Sequence, residues 1–400
     1  MSSRSAHRLA LVTGCLKLGG STTFLVNLAG ELVRRQIPVE VISLERDNPL
    51  AADFEAQRIP VLCLDDRRLI FEDRMTQALR RLAEFKPTVV VTTLGAASFE
   101  VLRYLPSGIF RIGMGQSDDP GVYRMMAKYA SFMDLAAMVS QAMKQKAASM
   151  PEFARVPVEY LSHGVSICPD EEVPMRDFSG PLQILYIGRL EREQKRVHLF
   201  PRIFEQLKAS GIPFHWTIVG DGSARKDLQT AMKADNTRQS VSFLGQVIYA
   251  GVAALNKRHD VCLLASDYEG FGLSVAESMG YGVVPVVSDL PAGIPEMVDA
   301  TTGVLVPVND VAGYARAIIF LHEHRDELAV KSVAARARIK TKFSIAAMAN
   351  GWLAALPPVR VTPAIWPADW QIKAPLTISH PFHFSKPIRM LRRIAKRLSN

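Results

Sequence analysis

The chain alternates between short apolar runs and longer segments with helical periodicity over most of its length. Apolar runs bounded by glycine or polar residues are typical of strands buried on both faces of a parallel sheet. In the first half the runs are Leu9–Thr13, Val39–Leu44, Val61–Leu64, Val89–Thr93, Phe110–Gly113 and Leu135–Val139, with helical segments at 22–35, 72–85, 121–132 and 141–149. This alternation predicts an α/β domain with a doubly wound, Rossmann-like sheet.

A stretch rich in proline, glycine and acidic residues interrupts the alternation at 162–181, and the pattern then restarts. The later apolar runs are Gln183–Ile187, Phe214–Val219, Val241–Leu244, Val261–Leu264, Val284–Val287 and Gly303–Val306, with helical segments at 197–210, 223–234, 250–257, 273–280, 310–323 and 326–341. We therefore predict an N-terminal domain at 1–165, a hinge linker at 166–181, a second Rossmann-like domain at 182–345, and a C-terminal helix and tail at 346–400.

Composition agrees with a globular protein: the chain has 400 residues, of which 48% are hydrophobic. No apolar run approaches the roughly 20 residues that span a bilayer, and the start of the chain does not fit a signal peptide. The four cysteines stand singly, which favours reduced thiols over a disulfide or zinc framework. We expect a cytoplasmic protein.

Most of the net charge of +9 lies near the C-terminus, where residues 357–400 hold eight basic residues and one acidic residue. Apolar residues recur at helical spacing in 386–400, with lysines and arginines between them. This pattern predicts a basic amphipathic helix that contacts the anionic inner face of the membrane; a helix packed on the body, or disorder, is the alternative. Basic residues confined to one terminal helix do not favour nucleic acid as a partner.

One stretch in the second half combines an apolar strand, a glycine-rich turn and a helix start. Val261–Leu264 leads to Glu269 and a Gly-Phe-Gly turn at 270–272, after which Ser274 is expected to start a helix with Glu277 in its first turn. Backbone amides at such a turn attract anions, whereas two carboxylates favour a ligand rich in hydroxyls. A phosphate-linked sugar and ribose satisfy both, although Glu277 could simply complement the helix dipole and Glu269 could be a solvated charge.

Two basic residues, Arg189 and Lys195, flank the turn after the first strand of the second domain. An arginine can bind a diphosphate through two parallel hydrogen bonds, and a lysine acts as a point charge. Acidic neighbours such as Glu191 could instead pair with this basic segment. The glycines at strand-to-helix turns, where a nucleotide could approach the backbone, are Gly19, Gly20, Gly220, Gly222 and Gly245.

The motif around Glu269 resembles the signature of family 4 glycosyltransferases: a Glu, seven residues and a second Glu at 277, with Gly-Phe-Gly after the first. Gly188-Arg189-Leu190 followed by Lys195 is similar to the same family. The resemblance implies a GT-B fold, with two Rossmann-like domains facing across a cleft. It also implies retaining transfer of a sugar from a nucleotide diphosphate sugar to an acceptor hydroxyl, in cell-surface or lipid-linked glycan biosynthesis.

The same resemblance implies a role for each site residue. Arg189 and Lys195 would hold the diphosphate and stabilise the leaving group, Glu269 would contact the donor sugar, and Glu277 would hold the ribose. The backbone near the distal phosphate would be that of Gly270, Phe271, Gly272 and Leu273. The partners would be a nucleotide-sugar donor and a glycan or lipid-linked acceptor, and no separate cofactor would be needed.

The sequence departs from the family in the first domain. Many members carry a histidine at a strand end there, but these positions read Thr92-Thr93-Leu94 and 115–119 without one. Asp118 is the candidate for a catalytic role in its place, although Asp119-Pro120 also fits a helix N-cap followed by proline at the first helical position. No Asp-x-Asp motif occurs, so we expect no metal, with Arg189 and Lys195 supplying the positive charge.

Other functions fit the same motifs. A nucleotide-sugar epimerase or a glucan synthase would use the same fold. A non-catalytic nucleotide-sugar-binding protein is conceivable because the histidine is missing. An NAD-dependent dehydrogenase is disfavoured, since its glycine fingerprint is absent.

Overall fold

The structure is a computed structural model that describes residues 7–173, 178–232, 239–247, 249–358 and 364–376; within these, it leaves out the side chains of residues 239, 249 and 250. The chain divides into two compact units. The N-terminal unit comprises the chain up to Val139, Met143–Ser162 and the described residues from Ala349 onward, and the C-terminal unit comprises Ser140–Ala142 and His163–Met348. The basic helix predicted at 386–400 lies outside the described residues.

The N-terminal unit is built on one parallel sheet. Its strands are β1 (Leu9–Thr13), β2 (Val39–Ser43), β3 (Val61–Cys63), β4 (Val89–Thr93), β5 (Phe110–Gly115), β6 (Leu135–Met138) and β7 (Val158–Tyr160), and the helices along this stretch are α1 (Gly20–Arg34), α2 (Ala51–Glu55), α3 (Phe71–Phe85), α4 (Ala96–Glu100), α5 (Pro120–Tyr129) and α6 (Gln141–Ala148). Among the described residues the strand order is β3-β2-β1-β4-β5-β6-β7. The order reverses direction between β1 and β4, as in a doubly wound sheet.

The C-terminal unit repeats this plan. Its strands are β8 (Leu182–Ile187), β9 (Phe214–Val219), β10 (Gln239–Gly245), β11 (Val261–Leu264), β12 (Val284–Ser288) and β13 (Val304–Val306), and its helices are α7 (Phe200–Ser210), α8 (Arg225–Ala231), α9 (Tyr249–Asn256), α10 (Leu273–Gly280), α11 (Ile294–Met297), α12 (Val311–Glu323) and α13 (Arg325–Lys342). The described strands are parallel and lie in the order β10-β9-β8-β11-β12-β13. The two predicted Rossmann-like sheets are confirmed.

The strands explain why the apolar pattern was easy to read. Every residue of β1, β2 and β4 is buried, because helices cover both faces of a doubly wound sheet. In the C-terminal unit Phe200 of α7 packs against Tyr186 of β8 and Trp216 of β9, with ring centroids 4.9 and 5.1 Å apart. These contacts attach the helix to the sheet and so fix the strand ends that carry the candidate site.

Part of the segment predicted as a hinge is bound to the C-terminal unit. Asp170 accepts hydrogen bonds from Arg336 and Lys340 of α13, each at 2.6 Å. Both cations lower the pKa of the Asp170 carboxyl. Residues 174–177 of the segment lie outside the described residues.

The end of the described chain returns to the N-terminal unit. Helix α14 (Ile345–Ala355) carries Trp352, which is buried and lies 5.8 Å from the ring of Phe24. Farther on, Tyr104 accepts a hydrogen bond from the amide of Lys373 at 2.9 Å, and Leu376 donates its amide to the buried Glu100 carboxylate. Residues 373–376 of the predicted tail therefore lie beside the end of α4. Among the described residues, no helix is both long enough and apolar enough to cross a bilayer.

Glycines hold the loops of the C-terminal sheet close together. Gly220 follows β9 with a φ of 129°, a conformation that residues with a side chain rarely adopt. A Cβ atom there would overlap the carbonyl oxygen of Gly188, and one on Gly222 would overlap that of Leu190. The absence of side chains thus lets the loop after β9 lie directly against the loop after β8.

We expect Gly220→Ala to destabilise the protein by about 2–4 kcal/mol, because it combines a strained φ with a backbone overlap. Thermal unfolding of the purified variant measures this loss. Gly180→Ala is the matched control, since a Cβ atom at that glycine would meet nothing within 4 Å. Equal melting temperatures for the two variants would contradict the packing role.

Candidate functional site

The candidate site lies where the strand order of the C-terminal sheet reverses. β8 and β11 are neighbours and run parallel, so the loops after them begin at the same edge of the sheet. Ligands of open α/β sheets bind at this position, outside the carboxyl ends of the strands. The loop after β8 carries Arg189 and Lys195, and the loop after β11 carries Glu269.

Lys195 and Glu269 are in direct contact. The Lys195 Nζ donates to Glu269 Oε1 at 2.6 Å, and the side chains are 14% and 9% exposed. The same oxygen accepts a hydrogen bond from the hydroxyl of Ser266 at 2.7 Å. A carboxylate this buried is costly unless it is paired and hydrogen-bonded, and these two donors provide for it.

Gln194 holds the two loops together. Its backbone carbonyl accepts from the amide of Asp267 at 2.8 Å, and its side-chain amide donates to the carbonyl of Tyr268 at 3.0 Å. Its side-chain oxygen accepts from Arg189 at 2.6 Å. One glutamine thus connects the arginine to the backbone of the loop that presents Glu269.

Arg189 is the exposed member of the group. Its side chain is 62% exposed and donates to Glu191 at 2.8 Å, as well as to Gln194. The pairing with Glu191 that the sequence allowed is therefore present. The pair is only partly solvated, because the Glu191 side chain is 21% exposed. If the guanidinium exchanged this partner for another anion, a partly buried carboxylate would lose its pairing, which is costly.

The turn at 270–272 leads directly into the N-terminus of α10. Gly272 precedes the helix with a φ of 92°, and none of the described side chains forms a capping hydrogen bond there. Gly293 explains the tight path, because a Cβ atom on it would lie 2.5 Å from the Gly270 carbonyl oxygen. Leu273 is the first helical residue. The predicted combination of bent turn and helix N-terminus is present.

Glu277 lies in the second turn of α10, not in the first. The helix spans Leu273–Gly280, as the predicted helical segment has it; it begins one residue before Ser274, the start expected from the motif, and has no acidic residue in its first turn. The prediction was wrong because Gly272 adopts a left-handed conformation, which only a glycine takes up easily and which lets the helix begin immediately after it. Complementing the helix dipole is therefore a weak reason for this glutamate, since that effect falls off within one turn.

Burial raises the pKa of Glu277 to about 7. The side chain is half-buried, and none of the hydrogen bonds found within the described residues involves its carboxyl group. A carboxyl group placed this way costs stability when ionised and offers an acceptor to any hydroxyl that reaches it. This combination is typical of functional positions.

Gly245 is the last residue of β10, the strand at one edge of the sheet. It has a φ of 70°, and a Cβ atom on it would lie 3.3 Å from Nη1 of Arg225. Arg225 also pairs with Asp221 at 3.2 Å. The glycines of these loops have packing reasons of their own, and a nucleotide contact at Gly220, Gly222 or Gly245 stays a prediction.

The remaining predicted residues belong to the N-terminal unit. Gly19 precedes α1, and a Cβ atom on it would meet nothing within 4 Å, so the loop there is open; Gly20 begins the helix. Asp118 is 13% exposed and accepts from the Tyr123 hydroxyl at 2.7 Å and from Lys146 at 2.8 Å.

Asp119 is the N-cap of α5, as the sequence predicted. Its carboxylate accepts from the amide of Gly121 at 2.6 Å, and Pro120 is the first helical residue. Asp118 is therefore not the cap. Burial is the largest cause of the raised pKa of the Tyr123 hydroxyl, and the hydrogen bond to Asp118 adds to it.

Sequence reasoning missed Ser266 and Gln194. Ser266 stands three positions before Glu269, and side chains at this spacing in a tight loop can form a hydrogen bond to each other. This spacing was the signal in the sequence that could have identified Ser266. Gln194 gave none, because its importance comes from contacts 74 positions away in the chain.

Comparison with known proteins supports the resemblance. Residues 181–324 match the family model described as Glycosyl transferases group 1. A candidate colanic acid biosynthesis glycosyltransferase, WcaL of Escherichia coli K12, is 33% identical over 45% of this chain and 46% of its own length. The glycogen synthase of Mycobacterium tuberculosis H37Rv is 31% identical over 42% of this chain and 40% of its own. The chain thus spans less than half the length of these relatives.

The fold has close counterparts among solved structures. A crystal structure of Anabaena Alr3699/HepE in complex with UDP and glucose superposes with a TM-score of 0.70, covering 88% of this chain and 100% of that one at 18% identity. The GT-B fold predicted from the motifs is confirmed, and so is the resemblance to glycosyltransferases over the matched segment.

We expect Glu277→Gln to stabilise the ligand-free protein at pH 8 and not at pH 4. The folded pKa is near 7 and the ordinary value is 4.5, so between these values the folded protein retains a proton that the unfolded chain has lost. Stability therefore falls as pH rises through this window. The amide removes the penalty, and the expected gain above pH 7 is about 1–3 kcal/mol.

Melting temperatures of wild type and variant at pH 4, 6 and 8 measure this effect. Glu205→Gln is the control, because Glu205 is 62% exposed on α7. A gain that is the same at all three pH values would contradict a raised pKa for Glu277.

Proposed function

We propose that the protein is a retaining glycosyltransferase that moves a sugar from a nucleotide diphosphate sugar to an acceptor hydroxyl. The observation that carries the proposal is the contact between Lys195 and Glu269 at the edge where the C-terminal sheet reverses. Lysine commonly binds phosphate, and a carboxylate commonly binds hydroxyls. A nucleotide sugar carries a diphosphate and sugar hydroxyls side by side, so it could contact both residues.

The basic residues would act on the leaving group. Breaking the bond between the sugar and the diphosphate builds negative charge on the departing oxygen. A charge-assisted hydrogen bond from Arg189 or Lys195 contributes about 1.5–3 kcal/mol, and contacts that strengthen as the charge builds lower the barrier by about tenfold in rate per 1.36 kcal/mol. Arg189 is accessible and Lys195 is nearly buried, so they would meet different phosphate oxygens.

The acidic residues would hold the neutral parts of the donor. Glu269 would accept hydrogen bonds from hydroxyls of the transferred sugar, and Glu277 from the ribose. The amides of Gly270 to Leu273 at the start of α10 would face the distal phosphate, where a helix N-terminus favours negative charge. In the N-terminal unit, Asp118 is the residue we assign to the polar role against donor or acceptor.

The proposed donor is a nucleotide diphosphate hexose. The structural neighbour HepE is solved with UDP and glucose, which supports this class without fixing the base or the sugar for the present chain. We propose that no metal is needed, because Arg189 and Lys195 supply positive charge at the diphosphate.

The acceptor is proposed to be a cell-surface or lipid-linked glycan. WcaL is named for colanic acid biosynthesis, a role of this kind. The basic stretch 386–400, which lies outside the described residues, would bring the enzyme to an anionic membrane surface at its cytoplasmic face.

Glucan synthesis is the second candidate, and the similarity to a glycogen synthase is the observation that favours it. The products of the reaction distinguish the two candidate functions. Repeated elongation of an α-glucan primer from a glucose donor would support the synthase, whereas a single sugar added to a lipid-linked or oligosaccharide acceptor supports the first proposal. The anomeric configuration of the product, read by NMR, tests retention.

We expect a nucleotide sugar to stabilise the wild-type protein in a thermal-shift screen. A ligand at 100 times its dissociation constant stabilises by about 2.7 kcal/mol. Arg189→Ala and Glu277→Ala should each lose most of this shift, because they remove a phosphate and a ribose contact. Arg192→Ala is the matched control, since Arg192 is 59% exposed and paired with Asp227. Unchanged shifts in both site variants would contradict the assignment.

We expect transfer activity to persist in excess EDTA. The positive charge at the diphosphate comes from side chains in this proposal, so removal of divalent ions should change the rate by less than about twofold. Steady-state rates after dialysis against the chelator, with and without added magnesium or manganese, measure this. Activity that is lost and then restored by either metal would overturn metal independence.

A further inference from the structure

The hydroxyl of Ser266 is aimed at the carboxylate to which the proposed function gives the donor sugar. Ser266 comes two residues after β11 and is completely buried. Its Oγ donates to Glu269 Oε1 at 2.7 Å, the oxygen that Lys195 reaches at 2.6 Å. Two donors therefore converge on one oxygen, and no hydrogen bond found within the described part of the chain engages Oε2.

One of the two donors has a competing task. Lys195 is assigned above to the diphosphate, and an ammonium drawn toward a diphosphate gives up part of its interaction with the carboxylate. Glu269 would then be a nearly buried charge with one donor fewer, which is costly. The Ser266 hydroxyl has no such competing task, because it is enclosed and has one proton to donate.

We propose that Ser266 is a positioning residue that holds Glu269 in place while Lys195 engages the donor diphosphate. By retaining Oε1, the hydroxyl leaves Oε2 directed at the sugar hydroxyls. This inference rests on the proposed function, and it concerns the sugar half of the donor only. Loss of the hydroxyl should therefore affect a nucleotide sugar and spare the corresponding nucleoside diphosphate.

The backbone of the loop does not depend on this hydroxyl. The amide of Asp267 and the carbonyl of Tyr268 are both held by Gln194. Ser266→Ala therefore removes one hydrogen bond to a side chain, while the hydrogen bonds of Gln194 continue to hold the loop backbone. Ser266→Ala should therefore change the position of the Glu269 side chain without changing the conformation of the loop.

The test compares Ser266→Ala with Ser288→Ala. Ser288 ends the neighbouring strand β12, is equally buried, and bonds the hydroxyl of Tyr314 at 2.7 Å, away from Glu269. Binding of UDP, GDP, UDP-glucose, UDP-N-acetylglucosamine and GDP-mannose is measured by calorimetry, and kcat and KM are measured with each sugar donor that wild type uses.

For Ser266→Ala we expect kcat/KM to fall about 10- to 100-fold, the loss typical of a hydrogen bond to a charged group. The dissociation constant of the parent diphosphate should stay within about twofold of wild type. Ser288→Ala should match wild type in both. Ser266→Thr, which keeps the hydroxyl, should recover most of the rate; if the added methyl group prevents folding, the difference between diphosphate and nucleotide sugar in Ser266→Ala decides alone.

Two results would overturn the inference. One is a kcat/KM for Ser266→Ala equal to that of Ser288→Ala. The other is a parallel loss of affinity for the diphosphate and the nucleotide sugar, which would indicate a general disturbance of the loop. A wild-type protein that binds no nucleotide sugar, either in this series or in the thermal-shift screen above, would instead contradict the proposed function itself, and the positioning role with it.

Discussion

A lysine ammonium and a glutamate carboxylate meet 2.6 Å apart at the edge of the C-terminal sheet, almost out of reach of water. Neither charge is stable there alone, because desolvation costs an isolated ion more than a loop contact returns. The pair forms only if two loops far apart in sequence end at the same place. Parallel strands in a doubly wound order meet this requirement, because β8 and β11 are neighbours whose carboxyl ends lie together.

Contacts between the surrounding loops hold Lys195 and Glu269 in position. Gln194 joins the loops after β8 and β11 through its backbone and its side chain, and the glycines after β9 let the loop there lie directly against the loop after β8. Burial raises the pKa of the Glu277 carboxyl to about 7, because it penalises the ionised form. In the proposed function, the stability lost in this way would be offset when a hydroxyl of the ligand donates to this carboxyl.

Much of this could be predicted from the sequence. Most strands of a sheet covered by helices consist of continuous apolar runs, so β1 to β6 and β8 to β13 were recognisable. The strand β7 was not recognised, because Glu159 interrupts its three residues and none of them is buried. The helix α11 was not recognised because four residues make barely one turn and show no helical period. The motif placed Glu269 and Lys195 at the site, but the partners that position them depend on contacts between residues 74 apart, which no local pattern records.

The attachment of Leu376 to the N-terminal unit limits how far the basic stretch beyond it can reach. Leu376 donates its amide to the Glu100 carboxylate, and Lys386, the first of the clustered cationic residues, comes ten residues later in the sequence. A fully extended chain gains at most about 3.3–3.6 Å per residue, so this lysine stays within roughly 35 Å of that attachment point. An anionic surface that bound these cationic residues would therefore be held near the end of α4 by a short linker. Loss of the contact between Leu376 and Glu100 would make that linker longer.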